Sequence, residues 1–218
     1  MNYEQAYDNK QESYFSHSRP ELLPFVPANV RTVLDVGCGN GAFGVMLKKS
    51  RQCAVWGIEP GKAAAQEAEK HLDKVINGLF IRYMPELANQ KFDAIFFNDV
   101  LEHLVDPDEA LSYCKQLLNP NGCIIASIPN IRWYPVILSL IWYKDFKYEQ
   151  AGVMDKTHLR FFTLKSMRRL FEDNGYTVLK TEGINNHINF PVFNFVNFLT
   201  FKKHDDMKFP QFAIVASI

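Results

Sequence analysis

The chain has 218 residues, 47% of them hydrophobic, and its 24 basic side chains balance 24 acidic ones. That length and apolar content suit one domain with a sizeable core. The neutral balance argues against a nucleic-acid partner, because a broad binding face needs net positive charge to displace counterions.

In chain order, the polar start MNYEQAYDNKQES carries no apolar stretch of the kind a secretory leader needs. Residues 1–30 read as an N-terminal helical cap on a single domain, 1–218. "RTVLDVG" is a short apolar run suited to a buried parallel strand, and Gly41 to Ser50 carry apolar residues at helical spacing. "CAVWGIEP" is a second strand. "GKAAAQEAEKHL" is rich in helix formers. A weaker strand is expected over Lys74 to Phe80 and a clear one in "FDAIFFN". "DPDEALSYCKQLL" opens with Asp106 as cap and Pro107 in the first turn. "NPNG" reads as a turn before the strand "CIIASIPN". Helices and strands in alternation imply a mostly parallel sheet covered on both faces.

After Asn130 the rhythm breaks. Residues 131–162 and 188–208 read as two aromatic insertions, and they hold many of the 18 phenylalanines. Between them lie the helix "TLKSMRRLFEDNG", capped by Thr163 and stopped at Gly175, and the strand "YTVLKTEGI". The last strand is in "FPQFAIVASI". The longest apolar run, about Tyr134 to Tyr143, is too short to span a bilayer. Cys38, Cys53, Cys114 and Cys123 form no C-x-x-C pair, so they read as reduced core thiols in a cytoplasmic protein.

The glycine loop "GNGAFG", Gly39 to Gly44, fits G-x-G-x-x-G and alone does not identify a ligand. Asp35 ends the first strand, where a buried carboxylate beside a pyrophosphate would be costly. It suits an amine-bearing ligand instead. Glu59 ends the second strand and could accept both hydroxyls of a ribose.

"VLDVGCGNGAFG", "GIEP", "FDAIFFNDVLEHLVDP" and "LLNPNGCIIASIPN" resemble, in order and spacing, the motifs of class I S-adenosylmethionine-dependent methyltransferases. The resemblance implies an α/β Rossmann-like sheet of seven strands, the last antiparallel, with the cofactor at the strands' carboxyl ends. It implies that Asp35, Gly37, Cys38 and Gly39 hold the methionine part. Glu59 would take the ribose, with Pro60, Gly78, Leu79 and Phe80 around the adenine. Asn98 and Asp99 would lie under the sulfonium, Asn98 as a cofactor contact and Asp99 as a catalytic residue. "YFSHSRPELLPFVP" resembles the N-terminal helix of the same group, with Arg19 on the cofactor carboxylate and Tyr14 closing over it.

For the acceptor, "NDVL" departs from the N-P-P-Y type of enzymes that methylate base or glutamine amines. An alcohol acceptor would gain from a general base, and histidine is the usual one. "DKTHLRFFT" resembles a segment of glycan-biosynthesis methyltransferases. It makes His158 the favoured base, with Asp155 as orienter, Arg160 as a polar contact and His103 as the second candidate. Quinone-pathway O-methyltransferases, which the chain also resembles, carry an "LEH" stretch linked to divalent metal. On a helix, though, Asp99 and Glu102 would point away from His103, so no metal is expected.

The expected function is O-methylation of a sugar or glycan intermediate. The alternative acceptor is quinone-like or a small phenol, and the rivals of other classes are an NAD-dependent oxidoreductase and a non-catalytic cofactor-binding partner. The aromatic insertions read as a lid over the acceptor, or else as a membrane-surface or homodimer patch. Lys202 and Lys203 beside the second would suit a lipid-linked substrate.

Overall fold

The computed structural model describes residues 18–186 and 190–218, so Tyr14 lies outside the described residues. Seven strands form one sheet: β1 Thr32–Val36, β2 Ala54–Glu59, β3 Lys74–Asn77, β4 Phe92–Asn98, β5 Leu118–Pro129, β6 Thr177–Ile184 and β7 Gln211–Ser217. Their order is β3-β2-β1-β4-β5-β7-β6, and β7 runs antiparallel to both its neighbours. The expected mixed sheet is therefore present. Because β7 is reversed, its first residue, Gln211, lies at the same end of the sheet as the carboxyl ends of the parallel strands.

Alternation along β4 builds both halves of the core. Phe96 and Phe97 are fully buried on opposite faces. Helix α1, Ala42–Arg51, seats Phe43 against Phe96 with ring centroids 4.9 Å apart. Helix α2 is Lys62–Ala68, and α3 is Phe80–Leu87. Phe80 of α3 meets Phe97 at 5.7 Å. The strand expected over Lys74 to Phe80 stops at Asn77, and Phe80 opens a helix instead. Gly78, at φ 151°, ends the strand early, and Phe80, Met84 and Leu87 repeat at helical spacing despite Pro85.

Helix α4, Pro107–Leu117, starts as expected, with the Asp106 carboxylate accepting from Glu109 N at 2.9 Å. The "NPNG" turn lies within β5, where the register shifts: Phe92 pairs with Leu118 and Ala94 with Cys123. The first insertion opens with α5, Tyr134–Leu138, which runs into a π-helical turn, Ser139–Tyr143. Helix α6, Leu164–Asp173, has a capping box between Thr163 and Ser166. The second insertion contains α7, Pro191–Leu199.

Buried Asn130 fastens both insertions to the sheet. Its Nδ2 donates to the carbonyls of Asp206 and Phe209 at 2.9 and 3.0 Å, and its Oδ1 accepts from Arg132 N at 3.1 Å. Ile131 N donates to Phe162 O at 2.8 Å and closes the neck of the first insertion. All four cysteines are free and buried. No helix among the described residues is long and apolar enough to cross a membrane.

Candidate active site

A cavity of about 550 Å³ opens at the carboxyl ends of β1, β2 and β4. Arg19, Asp35, Gly37, Cys38, Gly39, Glu59, Pro60, Gly78, Leu79, Phe80, Asn98, Asp99 and His103 all line it. His158 does not.

The glycine loop divides its work. Gly37 and Gly39 have φ of 74° and 55° and face the cavity. A Cβ on Gly37 would come within 2.6 Å of Val100 Cγ2. Gly41 and Gly44 instead face the end of α2, and a Cβ on Gly44 would lie 2.5 Å from Leu72 Cδ2. Two of the three fingerprint glycines therefore serve helix packing, and neither of these lines the cavity.

Glu59 joins the loop to the next turn. One carboxylate oxygen accepts from Gly39 N at 2.9 Å and the other from Gly61 N at 2.8 Å. Each oxygen keeps a second lone pair, so a diol can still be received. Burial pushes the Glu59 carboxyl up to about 7, against the pull of those two N–H groups. Asp35 is buried, and its Oδ1 accepts no hydrogen bond among the described residues. Burial, reinforced by Glu59 and opposed by Arg19, pushes it up to about 8. An orphaned buried carboxylate oxygen in a cavity wall fits a cationic or ammonium group. Burial, with Asp35 and Glu59, also pushes the Cys38 thiol well up, which leaves it un-nucleophilic.

The strap that carries Arg19 is held by three strand ends. Its guanidinium pairs with the Asp99 carboxylate, donates to Ser127 Oγ at 2.9 Å and meets Glu21 at 2.8 Å. Asp99 Oδ1 also accepts from Gln211 Nε2 at 2.7 Å and Ser127 Oγ at 3.3 Å. Burial opposes the charge on Arg19, but Asp99 and Glu21 outweigh it and raise its pKa. Both Arg19 and Asp99 have left-handed backbones, φ 50° and 55°. That conformation costs an L-residue about 1–2 kcal/mol, and both residues that adopt it belong to this network.

The two histidines exchange the places expected for them. The 3₁₀ turn Leu101–His103 turns His103 into the cavity. Its Nδ1 lies 3.1 Å from the Thr157 carbonyl oxygen. A carbonyl only accepts, which puts the proton on Nδ1 and the lone pair on Nε2. Asp155, expected beside His158 as its orienter, accepts at Oδ1 from Thr157 N and Oγ1 at 2.8 and 2.7 Å, and so braces the residue whose carbonyl meets His103. His158 is buried behind His103, with ring centroids 4.7 Å apart, and its Nδ1 lies 3.1 Å from Val153 O. Arg160 reaches the Val105 carbonyl at 2.5 Å and does not line the cavity.

Glu102 completes this group. It is 1% exposed, and neither carboxyl oxygen has a hydrogen-bond partner among the described residues. Burial, then the Asp99 charge, pushes its pKa well up. The expectation that Glu102 points away from His103 fails, because the element is a short 3₁₀ turn and not a longer helix. One ligand atom each from Glu102, His103 and His158 lies within 4.8 Å of the others. These three, and not Asp99, would be the residues to hold a divalent cation, which would polarise an acceptor oxygen.

Sequence reasoning passed over Glu102 as a site residue, and also Ser127, Gln211 and Asn185. Gln211 and Asn185 line the cavity, and Asn185 Nδ2 donates to Gln211 Oε1 at 2.6 Å. The reversed last strand was the available signal for Gln211. None of the described aromatic side chains of the two insertions lines the cavity. The first insertion reaches it only through Ala151 and Gly152.

A family described as a methyltransferase domain matches residues 7–181. The ubiquinone biosynthesis O-methyltransferase of Pasteurella multocida is 38% identical over 116 residues, covering 46% of this chain and 47% of that one. The human mitochondrial ubiquinone biosynthesis O-methyltransferase is 27% identical over 176 residues, covering 76% and 46%. The chain thus spans about half the length of these curated relatives. Among solved structures, an S-adenosylmethionine-dependent methyltransferase from Archaeoglobus fulgidus superposes with a TM-score of 0.67 at 21% identity, covering 97% of this chain and 96% of that one. One from Aquifex aeolicus gives 0.61 at 15% identity, covering 99% and 97%. At these identities the likeness establishes the fold.

Proposed function

The chain belongs to the methyltransferase domain family and is an S-adenosylmethionine-dependent enzyme, and from that premise we propose that it O-methylates a phenolic, quinone-like acceptor. The observation that carries this reading is His103. It lines the cavity, and the Thr157 carbonyl holds its proton on Nδ1. Its Nε2 is then the nitrogen that accepts a proton.

S-adenosylmethionine supplies an activated methyl group on a sulfonium, so the protein's tasks are orientation and proton removal. Asp35 receives the ammonium of the methionine part and Arg19 its carboxylate. Glu59 accepts the ribose hydroxyls, and Leu79 and Phe80 flank the adenine. Asp99 acts as a positioning residue, since its carboxylate is occupied by Arg19, Ser127 and Gln211. The acceptor hydroxyl gives its proton to His103 Nε2 as the oxygen bonds to the methyl carbon and the carbon–sulfur bond breaks. A phenol, with a pKa of ~10, is far easier for a histidine to deprotonate than a sugar hydroxyl.

The sugar expectation rested on the likeness of "DKTHLRFFT" to glycan-biosynthesis methyltransferases, with the aromatic insertions as a lid, but His158 of that stretch and the described insertion aromatics do not line the cavity. The relatives' names, ubiquinone biosynthesis O-methyltransferases, point the same way. The test is transfer of labelled methyl to an alkyl-substituted catechol and, in parallel, to cell-envelope sugars. Label in the catechol supports the reading. Label in the sugars alone overturns it.

A further inference from the structure

We propose that the two insertions form a docking face for an anionic lipid surface, set beside the cavity mouth. Fifteen large hydrophobic side chains are exposed among the described residues. Seven lie in 138–148 and four in 195–201, so most of this apolar area is gathered in the insertions. Trp142 is 76% exposed and Phe201 88%.

The two segments are docked together. The Tyr134 ring lies 4.7 Å from Phe193 and 5.2 Å from Phe190, and Arg132 pairs with Asp206 at 2.6 Å. Helix α7 turns Phe193 and Asn197 inward and Phe195, Phe198 and Leu199 outward. A solvent-facing helix side is normally polar, and this one is apolar. The first insertion adjoins the cavity through Ala151 and Gly152, and the second docks on the first.

Charge selects the occupant. Asp205 is paired with Lys208 at 2.7 Å, and Asp206 with Arg132. The two insertions still carry eight basic side chains against five acidic ones in a chain of zero net charge, and Lys144, Lys147, Lys202 and Lys203 are exposed, Lys202 lying near enough to Asp205 to lower its pKa. Aromatic residues flanked by lysines fit the boundary between acyl chains and anionic headgroups. A second copy fits less well, because a two-fold contact would set this positive face against itself. The inference stands apart from the choice of acceptor: a lipid surface would cover the face whatever is methylated.

The test is flotation of the whole chain with vesicles of phosphatidylcholine alone and with phosphatidylglycerol added. Binding is expected with the anionic vesicles and should weaken as salt screens the lysines. Phe195→Ser with Phe198→Ser, and separately Lys202→Glu with Lys203→Glu, should each lower partitioning about tenfold or more. Both positions of each pair are exposed, and unchanged affinity for S-adenosylhomocysteine would verify that the variants fold. A blue shift of Trp142 fluorescence on vesicle addition, absent in Trp142→Phe, would place the first insertion in the interface. No flotation with either composition overturns the proposal, as does flotation that both double variants leave unchanged. A dimer that the same substitutions dissociate, without vesicle binding, assigns the face to a second copy instead.

Discussion

The two halves of the cavity are built in opposite ways. The cofactor side hangs on strand ends and on a loop fixed by local contacts: Gly37 N and Cys38 N both donate to Ile58 O, at 2.8 and 3.1 Å, and Glu59 ties Gly39 to Gly61. The acceptor side depends on chain that leaves the sheet at Asn130 and returns at Phe162. His103, which alone of the histidines among the described residues lines the cavity, meets Thr157, 54 positions away in sequence. Local geometry can be read from a motif. A long-range return cannot, and here it decided which histidine faces the cavity.

The sharpest way to break that contrast is His103→Asn. Loss of a general base typically costs about 10²–10⁴ in rate, so turnover should fall by about that factor while S-adenosylhomocysteine affinity, read by calorimetry, stays as it was. His158→Asn should lower turnover less, since His158 does not line the cavity and meets the site through its ring contact with His103. A larger loss in the His158 variant would restore it as the base. A chelator should leave the rate unchanged if His103 is the proton acceptor. Loss of rate that a divalent cation restores would instead make Glu102, His103 and His158 a cation site.

On the cofactor side, Asp35→Asn removes the carboxylate that fits the ammonium. Breaking a buried charge pair typically costs about 3–5 kcal/mol, so affinity should drop on the order of a hundredfold or more, with the fold retained. An unchanged affinity would mean that Asp35 only caps its turn. Arg19→Lys is expected to weaken binding about tenfold, because an ammonium cannot reproduce the forked contacts to Asp99 and Ser127. Asp99→Asn should produce a similar loss through Arg19, and the double variant should lose little more than either single one.

How much could be read from residues alone follows the same division. The order of strands and helices was legible from the alternation of "VLDV", "VWGIE" and "AIFFN" with helical runs, and so were Asp35, Glu59 and the glycine loop. Helix α3 was missed because Gly78 and Pro85 look like breakers, while the Phe80, Met84, Leu87 spacing was present all along. Gln211 was missed although the antiparallel last strand was expected, because no local signal marks a residue that reaches the site by strand reversal. The convergence of Glu102 with two histidines depends on Leu159 N and Arg160 N both donating to the Glu102 carbonyl, at 2.9 and 3.1 Å. No spacing rule encodes that contact.

The smallest expected effect tests the electrostatics of the cofactor side directly. Asp35 is raised from 3.8 to about 8 and Glu59 from 4.5 to about 7, both chiefly by burial. Between about pH 4 and 8 the native state therefore holds protons that the unfolded chain has released. The stability these groups contribute is full at the acid end of that window and is lost as pH rises through their folded values. Without cofactor, the denaturation midpoint should fall from pH 5 to pH 8. With S-adenosylhomocysteine the fall should flatten, because an ammonium against Asp35 lets the carboxylate ionise at little cost. Binding near pH 7 should then release up to about one proton, visible as a dependence of the calorimetric heat on the buffer's ionisation enthalpy. Equal heats in all buffers would mean that Asp35 is already ionised before the cofactor arrives, and the glycine loop would then need another source for its preference for an amine.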